Sequence, residues 1–309
     1  MQELVREFGT HSAVTAELEK GFALTAFDLG ANLNSFLFDG FEHIRGHRTP
    51  EELESHATRA GCAVLIPFAN RVKGGLYTFQ GRSFQLPINE VPRGNALHGF
   101  LTEREWKIKA VYKGSDYLFG EKGTSRAPRS GAGVVFSYDF ACDAGYPFKF
   151  TSEAEYSISK DGLWVRLTVT NSGKSDMPVT MGTHPYFLVD GKLEEWTLEG
   201  KSKGRFKAVD LIPTGELEDV SFTGKIGPRA FDECYVAEGD VKLYGKRKGI
   251  KIKLNENPYV QIYTPPSRDS IAIEPMTAIG NAFNNGIGLK VLKPKERFEA
   301  TYEVIPFSP

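Results

Sequence analysis

Thr183-His184-Pro185-Tyr186-Phe187 and Ile273-Glu274-Pro275-Met276-Thr277 carry the residues of this chain best suited to chemistry. Each segment sets one titratable side chain beside a proline, at the end of a run that alternates like a β-strand. A histidine can give a proton near neutral pH and a carboxylate can take one, so together they make a general acid–base pair. Proline after His184 pushes its backbone out of the helical region and stiffens its presentation, and the neighbouring aromatics offer faces for a sugar ring. Glu274 follows the apolar strand Ile271-Ala272-Ile273, where an unpaired charge is costly, so it is either paired structurally or poised for chemistry. Of the six histidines, His98 shares an apolar, turn-rich setting, in Asn95-Ala96-Leu97-His98-Gly99-Phe100. Asn70-Arg71 follows the apolar run Ala63 to Phe68, where a guanidinium can fork two hydrogen bonds to hydroxyls or a carboxylate. Asp232 lies in the aromatic strand Phe231 to Tyr235. Each has a plainer reading: packed histidines, a surface ion pair for Arg71, a turn cap for Asp232.

The elements that must position these residues are strands. From Phe148 to Ile158 the apolar side falls on Phe148, Phe150, Ala154, Tyr156 and Ile158, with Lys149, Glu153 and Glu155 opposite. Leu163, Val165, Leu167 and Val169 alternate in the same way, and Lys160-Asp161-Gly162 between the two runs is a hairpin signal. Ile250 to Leu254 forms another strand, closed by Asn255 to Pro258 before Tyr259 to Thr264. Thr49-Pro50-Glu51-Glu52 is the one good helix start, a capping box leading to about Arg59. Gly40 to Gly61 and Gly114 to Gly133 read as loops. With 32 glycines, 17 prolines and many short strands, the expected fold is all-β, a large antiparallel β-sandwich with one or two short helices, in a single domain over residues 1–309.

Composition excludes several functions. Lys+Arg of 38 against Asp+Glu of 39 gives a net charge of −1, with no surplus to neutralise nucleic-acid phosphates. Three cysteines without CxxC spacing argue against a disulfide framework or a zinc site and for a reducing compartment. Met1 to Gly21 lacks the apolar stretch of a signal peptide, and no segment approaches about 20 continuous apolar residues. A cytoplasmic protein binding neither nucleic acid nor membrane is expected. There is no G-x-S-x-G elbow, HExxH or EF-hand loop, Gly286-Ile287-Gly288 is too short to cradle phosphate, and the histidines and carboxylates are spread without metal-ligand spacing.

Taken in order, Asn70-Arg71, Leu97-His98-Gly99, His184-Pro185-Tyr186-Phe187, Asp232 with Tyr235, Tyr263-Thr264-Pro265 and Glu274-Pro275-Met276-Thr277 with Asn281 to Asn284 resemble the aldose 1-epimerases (mutarotases). The likeness runs from roughly Gly21 to Val304. Ala278-Ile279-Gly280 departs from the paired prolines expected there, which bears on one wall of the site. The resemblance implies a galactose mutarotase-like sandwich that interconverts the α and β anomers of an aldose, with no cofactor and no metal, as a monomer or homodimer acting on a monosaccharide. It implies Glu274 as base at the C1 hydroxyl, His184 as acid at the ring oxygen and His98 assisting. Arg71, Asp232, Asn70, Tyr186 and Gln261 would bind the sugar. Alternatives of the same fold act on hexose 6-phosphates or sulfonated sugars, which calls for cationic groups at the site; Arg45, Arg48 and Arg104 are candidates beside Arg71. A non-catalytic sugar-binding protein is the alternative of another class. The expected pH behaviour follows from proximity: a carboxylate near His184 should raise the imidazole pKa above its ordinary value near ~6.5. The acid limb of a bell-shaped profile would then belong to Glu274 and the alkaline limb to His184.

Overall fold

The computed structural model of the chain describes residues 4–120 and 131–309. Two large antiparallel sheets dominate, one of ten strands and one of seven, with a five-stranded sheet formed by the first strands. The helices among the described residues are short: Pro50–Ser55, Ala282–Asn285 and four 3-10 turns. An all-β sandwich is therefore what the alternating pattern produces. One contiguous apolar cluster joins Val14 and Leu24 of the five-stranded sheet, Val134, Tyr156 and Val165 of the ten-stranded sheet, and Val64, Ile262 and Ile273 of the seven-stranded sheet.

The long hairpin forms where its sequence indicates, with two adjustments. Phe150–Ser159 pairs with Gly162–Asn171, and Ser159 registers with Gly162, so Lys160-Asp161 alone makes the turn. Gly162 has φ 137 and a Cβ there would lie 2.2 Å from the Val304 carbonyl oxygen, so it begins the return strand under a restriction only glycine meets. Glu155, on the side opposite the core, is fully buried rather than solvated, because Arg166 lies beside it.

Thr49 caps the first helix as expected, its hydroxyl accepting from the Glu52 amide at 3.2 Å. The helix stops at Ser55, short of Arg59. Gly40 to Gly61 is less purely loop than its composition suggests, since it also holds the strand Phe41–Glu42. Gly114 to Gly133 reads as a loop, yet Asp116–Gly120 pairs with Lys107–Lys113 as an edge strand; residues 121–130 of that segment lie outside the described residues. No described helix is long and apolar enough to cross a membrane.

Candidate active site

The seven-stranded sheet runs Ile212–Glu218, Ser202–Val209, Asp232–Ala237, Tyr259–Tyr263, Ile271–Met276, Gly182–Phe187, Cys62–Leu65. Strand alternation sends Ile273, Ile262, Phe187 and Val64 into the main core. The intervening residues therefore point to the opposite face. Cys234 registers with Gln261 and Gln261 with Glu274. Gly182 registers with Met276 and Tyr186 with Ala272, which puts His184 across from Glu274. The motif residues, distant in sequence, thus become one cross-strand row.

His184 Nε2 lies 3.3 Å from Glu274 Oε1, both side chains buried. The His98 ring meets His184 edge-on, centroids 5.3 Å apart. Tyr186 stacks on the other side of His184 at 4.8 Å and donates its hydroxyl to the Thr58 carbonyl at 3.0 Å, so it fixes the imidazole plane. Phe187, one residue on, is buried in the core and offers no face to a ligand. Among the described residues, Glu274 Oε2 and His98 Nδ1 are buried without a hydrogen-bond partner, and His184 Nδ1 reaches none beyond its own residue.

The loops around this row supply the rest. His98 has φ 61 and Asn70 φ 60, left-handed conformations that cost energy for non-glycine residues. They are held by the His98 amide donating to the Asn70 carbonyl at 3.0 Å and by Asn70 Oδ1 accepting from the Arg71 amide at 2.8 Å. A Cβ at Gly99 would lie 2.1 Å from the Ile66 carbonyl oxygen, so the residue after His98 must be glycine for the loop to approach this closely. In the Ala278-Ile279-Gly280 segment, Gly280 packs behind Asn70, where a Cβ would lie 2.8 Å from Asn70 Oδ1, and none of the three residues lines the cavity itself.

Arg71 forks onto Glu90, with Nε to Oε2 and Nη2 to Oε1 both 2.9 Å. Asn95 and Arg93 also reach Glu90, at 3.0 and 3.4 Å. Although burial opposes it, these partners hold the Glu90 carboxyl below its ordinary range. Asp232 Oδ1 accepts from Gln261 Nε2 at 2.7 Å. All eight residues singled out from sequence (Glu274, His184, His98, Arg71, Asp232, Asn70, Tyr186 and Gln261) line one cavity of about 370 Å³, within the range of small-molecule sites. Thr58, Arg59, Glu90, Arg93, Leu97 and Tyr263 join them. Of these only Tyr263 and Leu97 lie in motifs read from the sequence; the rest come from loops that carry no local signal. A second cavity of about 510 Å³ over Phe206, Cys234 and Pro213 shares Asp232 and Gln261 but has neither histidine nor Glu274. It therefore lacks the candidate acid–base residues.

The electrostatics reverse one expectation. Burial lowers the His184 pKa to about 4, and the positive charge of Arg71 pushes the same way. Burial raises Glu274 well above the carboxylate range, helped by the negative charge of Asp232 and opposed by Arg71. Attraction within the pair does not win, because burial penalises the charged form of both groups and neither has a further side-chain donor or acceptor among the described residues. His98 is likewise driven well down by burial, with the His184 and Arg71 charges adding to it, and burial raises Asp232 against the pull of Arg71. The cationic candidates also change. Arg45 pairs with Glu52 and Asp269, and Arg104 with Asp143. Neither they nor Arg48 line the cavity, whereas Arg59, Arg71 and Arg93 do.

Comparison with known proteins bears on the family and the fold. The sequence signature of the aldose 1-epimerases matches residues 12–304. The chain is 30% identical over 311 residues to the uncharacterized protein YihR of Escherichia coli K12, covering 94% of each. It is 27% identical over 172 residues to galactose mutarotase of Bos taurus, covering 52% of this chain and 43% of that one. Among solved structures, a galactose mutarotase-like protein from Clostridium acetobutylicum superposes with a TM-score of 0.83 at 20% identity, covering 98% of this chain and 97% of the other. Galactose 1-epimerase from Lactobacillus acidophilus gives 0.80 at 18% identity, with the same coverages. This chain belongs to the aldose 1-epimerase family.

Proposed function

We propose that this protein is a mutarotase that interconverts the α and β anomers of a free hexose or related aldose by general acid–base catalysis. The observation that carries this reading is the buried His184–Glu274 pair, 3.3 Å apart, each with a second polar atom turned to no other residue. Opening a pyranose ring requires taking the proton from the C1 hydroxyl while giving one to the ring oxygen. In the proposed cycle Glu274, ionised, takes the first and His184, protonated, gives the second. The C1–C2 bond then rotates, and the transfers reverse on the other carbonyl face. After opening, Glu274 is the protonated member and His184 the neutral one. The pair therefore works with one shared proton, and the two placements of that proton are the two halves of the cycle. Burial favours the placement on Glu274, the state that accompanies the open-chain aldehyde. Each proton transfer is worth on the order of 10²–10⁴ in rate. His98 assists at the ring oxygen or an adjoining hydroxyl, while Arg71, Asn70, Asp232 and Gln261 hold hydroxyls away from C1, where both anomers look alike.

A second reading of the same chemistry draws on one observation. Arg71 and Arg93 share the single carboxylate of Glu90, and Arg59, exposed at the rim of the cavity, has no carboxylate partner among the described residues. That favours an anionic substituent, phosphate or sulfonate, at the outer end of the sugar. The test is polarimetry of freshly dissolved α-glucose, α-galactose and glucose 6-phosphate with wild type, Glu274→Gln and Arg59→Gln. Acceleration by wild type, lost in Glu274→Gln, is the expected result. Selective loss of the charged sugar in Arg59→Gln would establish the anionic reading. Binding of sugar without acceleration would make the protein a sugar-binding one.

A further inference from the structure

Away from the sugar cavity, three side chains from separate elements converge. His11 opens the strand His11–Glu19, Asp28 follows the strand Phe22–Phe27, and Glu105 precedes Lys107–Lys113 in the ten-stranded sheet. His11 Nδ1 lies 3.6 Å from Asp28 Oδ1 and 3.5 Å from Glu105 Oε1. The His11 side chain is nine-tenths buried, at 10% exposure. Among the described residues, His11 Nδ1 and Asp28 Oδ1 are buried polar atoms with no hydrogen-bond partner. The other Asp28 oxygen is already used, accepting from the Ser12 amide at 2.9 Å.

These distances are informative because they are wrong for a hydrogen bond. A charge-assisted N–H···O contact closes to about 2.7–2.9 Å, and both separations exceed that. Tetrahedral bonds of about 2.0–2.2 Å to one ion set its donor atoms about 3.3–3.6 Å apart, which both separations from His11 Nδ1 match, and all three donor atoms lie within 4.8 Å of one another. The chemistry matches as well: an imidazole nitrogen and two carboxylate oxygens suit a zinc-type divalent ion, and their two negative charges balance it. Glu105, 66% exposed, leaves a fourth position open to water. We infer that His11, Asp28 and Glu105 form a divalent transition-metal site, which clamps the five-stranded sheet of the first strands onto the ten-stranded sheet. No residue of this cluster lines the sugar cavity, so the ion is structural. The inference stands apart from the mutarotase reading.

The test uses full-length protein freed of any affinity tag, stripped with chelator and titrated with Zn²⁺ or Co²⁺. One equivalent should bind, with Co²⁺ giving the visible bands of tetrahedral coordination. Saturating Zn²⁺ should raise Tm by a few degrees, as a ligand of the folded state alone must. His11→Ala and Asp28→Asn should abolish the bands and the Tm shift. Glu105→Gln, a change at an exposed position that leaves folding intact, should weaken binding at least tenfold. Mutarotation should be equal in stripped and loaded protein. Failure to bind one equivalent, or binding undiminished in all three variants, would overturn the site. An activity that requires the ion would overturn its structural role.

Discussion

Arg166 and Glu274 are both ionisable side chains buried in the middle of a β-sheet, and their surroundings differ in how far each charge is answered. In the ten-stranded sheet Arg166 donates from Nε to Glu155 at 2.9 Å and from Nη1 to Thr168 at 3.2 Å, with Glu153 and Glu299 also in reach. Glu155 further accepts from the Tyr112 hydroxyl at 3.0 Å. Every charge there is answered, and Arg166 is held firmly in its cationic form by the surrounding carboxylates even though burial opposes it. In the seven-stranded sheet Glu274 has one imidazole at 3.3 Å, and its other oxygen has no hydrogen-bond partner among the described residues. The closed network uses its charges against each other; the open pair leaves its atoms unanswered at the cost of destabilising their ionised forms, as the proposed proton transfer requires.

The largest effect should come from removing the proposed base. Glu274→Gln preserves shape but cannot accept a proton, so kcat should fall by about 10²–10⁴. Stability should not fall with it. A carboxyl whose folded pKa is raised stabilises the protein below its unfolded pKa and loses that contribution as pH rises through the folded value. The Gln variant should therefore match or exceed wild type in Tm at pH 8. A near-normal kcat would remove Glu274 from the mechanism.

The opposite signature is expected at the closed network. Arg166→Leu strands Glu155 without its guanidinium in a fully buried setting, and breaking such a pair costs about 3–5 kcal/mol. Urea melts should show that loss, while the protein that remains folded turns over sugar at the wild-type rate. If Arg166→Leu lowers kcat at constant fold, the two clusters are not independent.

The contrast between these clusters was only half visible in the sequence. Alternation and the Asp-Gly turn announced the long hairpin, and the proline-flanked His184 and Glu274 announced the site, because those signals are local. Glu155 reads as an outward-facing polar residue; its burial depends on Arg166 and Glu299 arriving from other strands. Thr58, Arg59, Glu90 and Arg93 reach the cavity from loops whose course no periodicity describes. The same holds for His11, Asp28 and Glu105, which lie on three elements and have no motif spacing. The direction of the His184 pKa departs from the sequence expectation for a related reason. Its carboxylate neighbour is apparent in the motif, whereas the desolvation that outweighs it is a property of the assembled sheet.

That reversal sets the pH profile. With one shared proton required, activity ends when the pair gains a second or loses its last. The acid limb of kcat/KM should fall near about 4, where His184 takes up a proton while Glu274 is still protonated. The alkaline limb should mark loss of the proton from Glu274, displaced upward by burial. Both are apparent values of a coupled pair. His184→Asn should lower kcat by about 10² and erase the acid limb. An unchanged profile in that variant would make His184 a packing residue and require another acid.

The smallest and most discriminating effect concerns Arg71. Its guanidinium lowers the pKa of both Glu274 and His184, since positive charge disfavours the protonated state of each. Arg71→Gln should therefore move both limbs of the profile to higher pH, shifting the bell bodily instead of widening it. It should also raise KM for the sugar through loss of a charged donor to its hydroxyls. Profiles of kcat/KM and kcat for wild type and variant separate these consequences. If KM rises while both limbs stay in place, Arg71 only holds hydroxyls, and the field that tunes the pair comes from burial and Asp232 alone.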